Sequence, residues 1–318
     1  MRTALTTLAV ALLVAGTFAP AARADGGPAP GVSFGQTGIT SGRGVTYATI
    51  AAGNLSYLVV RHRGRTIERR VFDALYGIPY VTFAGTKAGL SRDGHLLVLA
   101  RAPEGGHVLA SSTRLLVLDT ATLRTRRTID LPGDFSFDAL SPDARTMFLI
   151  QHTSALDYER YRVRAYDLVR GRLLPNAIVD RTEPNMRGFP MDRLVAPGGA
   201  WVYTFYLHQG GEPFVHALDT VHARARCLDI EWHGNPNVLW STRLRLDGTK
   251  LHVVAKQGRT IATLQLRPAS NRFAAGWAAA GFSGAALAAT ALALWYRWRR
   301  RLTGPHSAKT RGDGALPG

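Results

Sequence analysis

Histidine and aspartate are the residues of this 318-residue chain whose types and spacing first suggest chemistry. The tightest group is His216, Asp219 and His222, which follow one another at intervals of three residues. A metal site needs three or four converging ligands with supporting contacts around them. The two histidines fall on opposite arms of an expected hairpin, and Asp219 is expected to form its corner. We therefore predict no metal-binding residues.

Motifs of common catalytic and cofactor sites are missing from the sequence. It contains no G-x-S-x-G elbow, no H-E-x-x-H helix, no P-loop and no dinucleotide-binding fingerprint. A hydrolytic triad assembled from distant residues would leave no such motif, so enzymatic chemistry stays open. We predict no catalytic residues, no cofactor-binding residues and no cofactor.

Four polar residues form the candidate binding set, because each comes at the end of an apolar strand that follows a tight turn. They are Arg101, His152, His208 and Lys256. In a repeated β fold these strand ends would share one rim, where loops gather and ligands commonly bind. The irregular segments 153–160 and 184–192 are further candidates for a binding surface.

The elements that would position these residues recur with a period of about 50 residues. In each unit an apolar approach leads into a tight turn and an apolar strand, and the turns begin near residues 91, 141, 196 and 245. In three units a strand that ends in Asp then turns back into another strand. We assign the Asp and Gly residues of these turns a structural role, because Asp accepts backbone N–H groups and Gly permits a positive φ. They are Asp93, Gly94, Asp119, Asp143, Asp167, Asp219, Asp247 and Gly248.

The pattern predicts an all-β domain whose sheets are covered on both faces, because strands such as 96–99 and 115–118 are continuous apolar runs. The segments LSRDGHLLVLA, ALSPDARTMFLI and LLVLDTATLRTRRTIDL resemble the WD40-like and YVTN-type propeller repeats. This resemblance implies a β-propeller of about five four-stranded blades, with four to six allowed, and a role in scaffolding and recognition. Residues 45–72 would add a partial first blade or close the ring. The alternative fold is a pair of β-sandwich sheets.

Sequence features at the two ends of the chain predict its cellular location. A positive start, an apolar run and a small-residue cleavage pattern at Ala22 and Ala24 are typical of a secretory signal peptide, residues 1–24. Residues 25–44 are expected to be a flexible lead-in, and residues 45–270 the extracytoplasmic domain. Residues 273–296 carry no charge and are long enough to span a bilayer as one helix. Residues 297–318 would be a basic cytoplasmic tail.

Residues at both ends of the expected span would anchor it in the membrane, because aromatic rings favour the interface and positive charge stays in the cytoplasm. They are Trp277, Trp295, Arg297, Arg299, Arg300 and Arg301. Small residues at every fourth position from Gly276 to Ala288 would let two such helices approach closely, which makes a helix-mediated dimer a secondary expectation.

The formal net charge of +17 does not point to nucleic acid, because no recognised nucleic-acid-binding module accompanies it. The single cysteine, Cys227, excludes an intramolecular disulfide. We expect a membrane-anchored extracytoplasmic propeller that binds a protein, a peptide or a component of the cell envelope. The alternatives are a propeller enzyme of the lactonase or quinone-dependent dehydrogenase type, and a sensor that signals through the basic tail.

Overall fold

A computed structural model describes residues 31–103 and 109–266 of the chain. The predicted signal peptide, the span 273–296 with its anchor residues, and the basic tail lie outside the described residues. Within the described ranges, no helix has the length and apolar character needed to cross a membrane. The one helix there is a 3₁₀ helix, Pro236–Ser241, and the rest of the regular structure is β.

Twenty strands make up this β structure. In chain order they are β1 (Val32–Ser33), β2 (Ile39–Thr40), β3 (Val45–Ala52), β4 (Leu55–His62), β5 (Arg65–Phe72), β6 (Tyr76–Pro79), β7 (Leu96–Arg101), β8 (Ser112–Asp119), β9 (Thr125–Pro132), β10 (Phe135–Leu140), β11 (Thr146–His152), β12 (Tyr161–Asp167), β13 (Arg172–Ile178), β14 (Phe189–Val195), β15 (Trp201–Leu207), β16 (Phe214–Asp219), β17 (Arg224–Asp229), β18 (Arg243–Asp247), β19 (Lys250–Val254) and β20 (Thr260–Gln265). The prediction of an all-β domain is confirmed.

The strands form five sheets that follow one another along the chain. The first sheet has the order β2-β3-β4-β5, the second β1-β6-β7-β8-β9, the third β10-β11-β12-β13, the fourth β14-β15-β16-β17 and the fifth β18-β19-β20. The paired strands among β1 to β19 are all antiparallel, and apart from β1 each strand lies beside its neighbour in sequence. Consecutive small antiparallel meanders of this kind are the blades of a β-propeller. Three of the five have the expected four strands.

Neighbouring sheets pack face to face, and successive residues of the central strands point into different interfaces. Leu97 and Leu99 on β7 lie in the core shared with the first sheet, whereas Val98 lies in the core shared with the third sheet. On β11, Met147 faces the second sheet and Phe148 faces the fourth. Burial on both faces explains why these strands are continuous apolar runs in the sequence.

The tight turns of the repeat have one geometry. In each, the backbone N–H of the fourth residue donates to the carbonyl of the first at 2.9 Å, and the turns comprise residues 41–44, 91–94, 141–144 and 196–199. The fourth residue has a positive φ in each of these four turns: Gly44, Gly94, Ala144 and Gly199. In the fifth sheet the hairpin between Asp247 and Lys250 takes the same place, with Gly248 at φ 54°.

The first sheet departs from the sequence-based expectation. Residues 25–44 were expected to be a flexible lead-in, yet the described part of that segment supplies β1 and β2 and the turn 41–44. Residues 45–72, which were expected to form a partial blade or to close the ring, are the three further strands of a complete four-stranded sheet. The turn 41–44 lies 50 residues before the turn 91–94, so it belongs to the same repeat. Like the turn 196–199, it lacks the Asp that is present in the turns 91–94 and 141–144.

Candidate functional site

A cavity of about 650 Å³ opens at the end of the sheets where β7, β11, β15 and β19 finish, which we call the rim. Its lining comes from three short connections, from the paired ends of β18 and β19, and from the inner strand β14, which contributes Met191 at a β-bulge. The volume lies within the range of pockets that hold small molecules or peptide side chains. We call it the rim cavity.

Phe83 forms one wall of the rim cavity, at the tip of a turn that leaves the second sheet after β6. The Gly85 N–H closes this turn on the Thr82 carbonyl at 3.0 Å, and the Thr82 hydroxyl donates to the Thr86 hydroxyl at 2.9 Å. The Phe83 N–H donates to the Pro190 carbonyl at 2.8 Å, and its ring meets Phe189 edge-on at 5.6 Å. These contacts hold the Phe83 ring in place although 40% of the residue is exposed.

Trp240 forms a second wall and is presented by the 3₁₀ helix Pro236–Ser241. The Asn235 side chain caps this helix by accepting from the Asn237 N–H at 2.9 Å, and Pro236 stands at its first position. Buried Leu239 fixes the helix to the domain, whereas its neighbour Trp240 is 57% exposed. A large aromatic side chain on an anchored helix is costly to leave in water and is well suited to contact a ligand.

The charged residues of the rim cavity are cations. Among the described residues that line it, only Arg243 and Lys256 carry charge, and none is acidic. Arg243 begins β18 and stands opposite Val254 on β19, and Lys256 follows two residues later in a turn closed by the Gly258 N–H on the Ala255 carbonyl at 2.8 Å. Both cations therefore belong to one end of one hairpin.

Asp192 lies behind this hairpin and joins the fourth sheet to the fifth. Its carboxylate accepts from the Leu244 N–H at 2.7 Å, and the nearer carboxylate oxygen lies 4.0 Å from the Arg243 guanidinium. Burial raises the pKa of Asp192 above its ordinary value, although the bond from Leu244 and the charge of Arg243 oppose this. Arg243 is 58% exposed, so this acid steadies its position without covering the guanidinium.

The four predicted rim residues lie at the rim but do not converge on one point. Lys256 lines the rim cavity. His152 is buried, with its Nε2 3.1 Å from the Ser136 hydroxyl, and burial lowers its pKa. His208 Nε2 lies 3.4 Å from the buried carboxylate of Glu159. Arg101 ends β7 and is exposed.

The loop 153–160, a predicted binding surface, is ordered and carries exposed apolar groups. The Ser154 hydroxyl accepts from the N–H groups of Leu156 and Asp157 at 3.3 and 3.0 Å, and Asp157 pairs with Arg160 and Arg187. This scaffold leaves Leu156 98% exposed. The second predicted surface, 184–192, contributes Met191 to the rim cavity and Phe189 to the support of Phe83.

Five of the six predicted turn aspartates, all except Asp247, accept backbone hydrogen bonds at corners of the sheets. Asp119, Asp167 and Asp219 each use one carboxylate oxygen to accept from the N–H groups two and three residues onward, at 2.8 to 3.0 Å. Asp93 and Asp143 each accept from a serine hydroxyl at 2.6 Å.

His216 and His222, the pair that suggested a metal, are separated by the hairpin they flank. His222 Nδ1 lies 2.8 Å from the Asp219 carboxylate at the exposed corner, whereas His216 is buried on β16. The described residues contain no group of three or more His, Cys, Asp or Glu side chains arranged to hold a metal ion.

The sequence analysis did not find Phe83, Trp240 or Arg243. Their common feature is that they lie in, or next to, segments that interrupt the 50-residue repeat. The turn Thr82–Gly85 and the helix that begins at Asn235-Pro236 have no counterpart in the other units. An Asn-Pro start followed by a Trp in a connection was the signal available for the helix.

The chain matches no protein-family model and no curated protein. Solved structures to which it is similar include TolB from Acinetobacter baumannii, at 12% identity and a TM-score of 0.42 over 74% of this chain and 54% of TolB. Another is BamB from Moraxella catarrhalis, at 14% identity and a TM-score of 0.41 over 72% of this chain and 63% of BamB. A third is the β-propeller domain of Myceliophteria thermophila Cps50 (Swd1), at 12% identity and a TM-score of 0.41 over 70% and 66%. The chain spans about half the length of the TolB chain, and these likenesses identify neither a ligand nor an activity for it.

Proposed function

We propose that this chain is a membrane-anchored extracytoplasmic β-propeller that binds a protein or peptide ligand at its rim. The observation that carries the binding role is Trp240, an exposed aromatic side chain held beside a cavity on a capped and anchored helix. Trp is one of the residues enriched at the energetic centres of protein interfaces. Phe83 and Leu156 are two further exposed apolar residues in connections between the strands.

Site-specific photo-crosslinking in cells tests the binding role. A photoreactive amino acid at position 240 of the full chain should give a discrete adduct, and the same residue at position 221 should not. Val221 is the matched control because it is 56% exposed but lies in the turn after β16, at the opposite end of the fourth sheet. Equal crosslinking from both positions, or none from position 240, would contradict a ligand site at the rim.

The proposed membrane anchor and extracytoplasmic location are supported by the sequence features of the two ends, residues 1–24 and 273–301. The full chain should sediment with membranes and resist extraction by high salt, because a span of this length is held by burial in lipid rather than by charge. A chain that ends at residue 272 should be released in soluble form. Recovery of the full chain in the soluble cytosolic fraction would refute the anchor.

A hydrolytic enzyme is the second candidate, and the pair Ser136 and His152 is the observation that favours it. The neutral His152 accepts or donates at 3.1 Å from the Ser136 hydroxyl, as a base beside a nucleophile would. Asp134 lies near, and its backbone carbonyl accepts from the His152 N–H at 3.0 Å. However, His152 Nδ1 has no hydrogen-bond partner among the described residues, so the orienting acid of a triad is not in place. Labelling of wild type, but not of Ser136→Ala, by a fluorophosphonate probe would favour the enzyme.

The sensor alternative makes a separate prediction about the tail. If the outer domain reports inward through residues 302–318, deletion of that segment should abolish the response while ligand binding at the rim persists. An unchanged phenotype after the deletion would refute signalling through the tail and would leave the binding module intact.

A further inference from the structure

We infer that the rim cavity recognises the C-terminal residue of a peptide ligand, by its free carboxylate and by an apolar or aromatic side chain. This inference rests on the proposed function and adds the chemical class of its ligand. It follows from three features of the cavity: the sign of its charges, the hairpin from which they come, and the apolar residues that other segments add to the lining.

The sign of the charges selects an anion. Lys256 makes no hydrogen bond or ion pair with any residue in the described ranges. The Arg243 side chain is 58% exposed beside Asp192, and its guanidinium donates to the Thr242 carbonyl at 3.0 Å. The two cations repel each other, and the described lining of the cavity contains no acid that would offset this repulsion. An anion that binds between them would reduce it. A carboxylate bound to both would make charge-assisted hydrogen bonds, which are stronger than neutral ones.

The arrangement of the walls requires the anion and an apolar group to be close together on the ligand. Both cations come from the β18–β19 hairpin, whereas Phe83, Met191 and Trp240 come from other segments of the lining. A C-terminal residue carries its carboxylate and its side chain on the same Cα atom, so it satisfies both sets of contacts at once. A side-chain carboxylate within a peptide would need the chain to continue past the site in both directions.

Isothermal titration with defined tetrapeptides tests this inference on the full chain in detergent. The probes are acetyl-Gly-Gly-Ala-Phe as free acid, the same peptide as C-terminal amide, and acetyl-Gly-Glu-Phe-Gly amide, which carries its carboxylate on a side chain. We expect the free acid to bind at least about tenfold more tightly than either amide, which is the loss typical of one charged hydrogen bond. Higher salt should reduce this difference.

Variants of the cations make the assignment specific. Lys256→Gln combined with Arg243→Gln should bring the affinity for the free acid down to that for the amide. Lys250→Gln is the matched control, because Lys250 is exposed at the opposite end of the same hairpin. This substitution should leave the affinity unchanged. Trp240→Ala should weaken the acid and the amide together, because the apolar wall contacts both. Circular dichroism establishes that each variant is folded.

The outcomes separate this inference from the proposed function. Equal binding of acid and amide, or tighter binding of the internal glutamate peptide, would overturn carboxylate-terminus recognition and leave a peptide-binding rim in place. The absence of binding by all three peptides would also overturn the inference. The proposed function would fall only if crosslinking from position 240 failed as well.

Discussion

His216 should make the stability of this domain depend on pH between about 6.5 and 4. The residue is buried on β16 in the interface between the third and fourth sheets. Its ring meets the rings of Tyr161 and Tyr206 edge-on, at 6.4 and 6.2 Å between centroids. Neither ring nitrogen has a hydrogen-bond partner among the described residues. Burial lowers the pKa of His216 from 6.5 to about 4.

The sign follows from the direction of this shift. The unfolded chain takes up a proton on His216 near pH 6.5, whereas the folded chain does so only near pH 4, so acid favours unfolding. The contribution is fully present above pH 6.5 and is lost as the pH falls towards 4. The loss of stability relative to neutral pH is about 2 kcal/mol at pH 5 and about 3 kcal/mol at pH 4 and below.

Replacing His216 with Phe should remove this dependence while it keeps an aromatic ring between the two tyrosines. Urea unfolding followed by circular dichroism at pH 7, 6, 5 and 4.5 measures the difference between wild type and variant. At pH 7 we expect His216→Phe to be no less stable than wild type, because no buried ring nitrogen loses a protein partner. Between pH 7 and pH 5, the unfolding free energy of the variant minus that of wild type should increase by about 2 kcal/mol.

The comparison isolates one group because all other acid-sensitive residues are common to both chains. His95→Phe serves as the control, since His95 is exposed in a turn, and this variant should follow the wild-type pH dependence. If wild type and His216→Phe lost stability in parallel between pH 7 and 4.5, the assignment of a buried neutral imidazole would be wrong.

Three further predictions concern packing between the sheets, the turns and the exposed loop. Arg193→Met should destabilise the domain by about 3–5 kcal/mol in urea unfolding, because Arg193 forms a buried ion pair with Asp138 across the third and fourth sheets. The double variant with Asp138→Asn should recover much of this loss, and simple additivity would refute the coupling. Gly44→Ala should lower the unfolding free energy by about 1 kcal/mol and Ala144→Gly should raise it by up to about 1 kcal/mol, because both positions have a positive φ, while Gly42→Ala should be neutral. Leu156→Ser should leave the melting temperature unchanged, since the side chain is almost fully exposed, and a loss of more than about 1 kcal/mol would show that it packs.

The repeating framework could be predicted from the sequence because it depends on local chemistry. An Asp at the end of a strand accepts from the next N–H groups of its own turn. Asp119, Asp167 and Asp219 therefore occur at the same position of three units. Apolar runs such as Leu96–Leu99 are also visible in the sequence, because a strand that is buried on both faces needs apolar residues at successive positions. The turn 41–44 escaped detection because Ser41 and Gly44 provide its geometry inside a segment rich in Gly, Pro and Ser, which suggested a flexible lead-in.

The rim cavity could not be predicted because its walls come together only in the folded domain. Phe83 and Pro190 are joined by a backbone hydrogen bond although more than one hundred positions separate them in the sequence. Nothing in the sequence around Phe83 indicates this partner. Lys256 was identified because it follows a strand of the repeat, whereas Trp240 was not, because the helix that carries it belongs to no repeat.

The rim cavity therefore combines two segments that the units do not share with the ends of strands that belong to the repeat. Its exposed side chains lie outside the interfaces that stabilise the fold. The sheets are stabilised by apolar interfaces and by pairs such as Arg193–Asp138, none of which involves the exposed tips of Phe83, Trp240 or Lys256. Substitutions at those tips should change ligand affinity with little effect on stability, because exposed side chains contribute little to the free energy of unfolding. The two short insertions can then vary in length and composition while the five sheets remain the same. Specificity for a ligand would reside in the Thr82–Gly85 turn, the helix Pro236–Ser241 and the end of the β18–β19 hairpin.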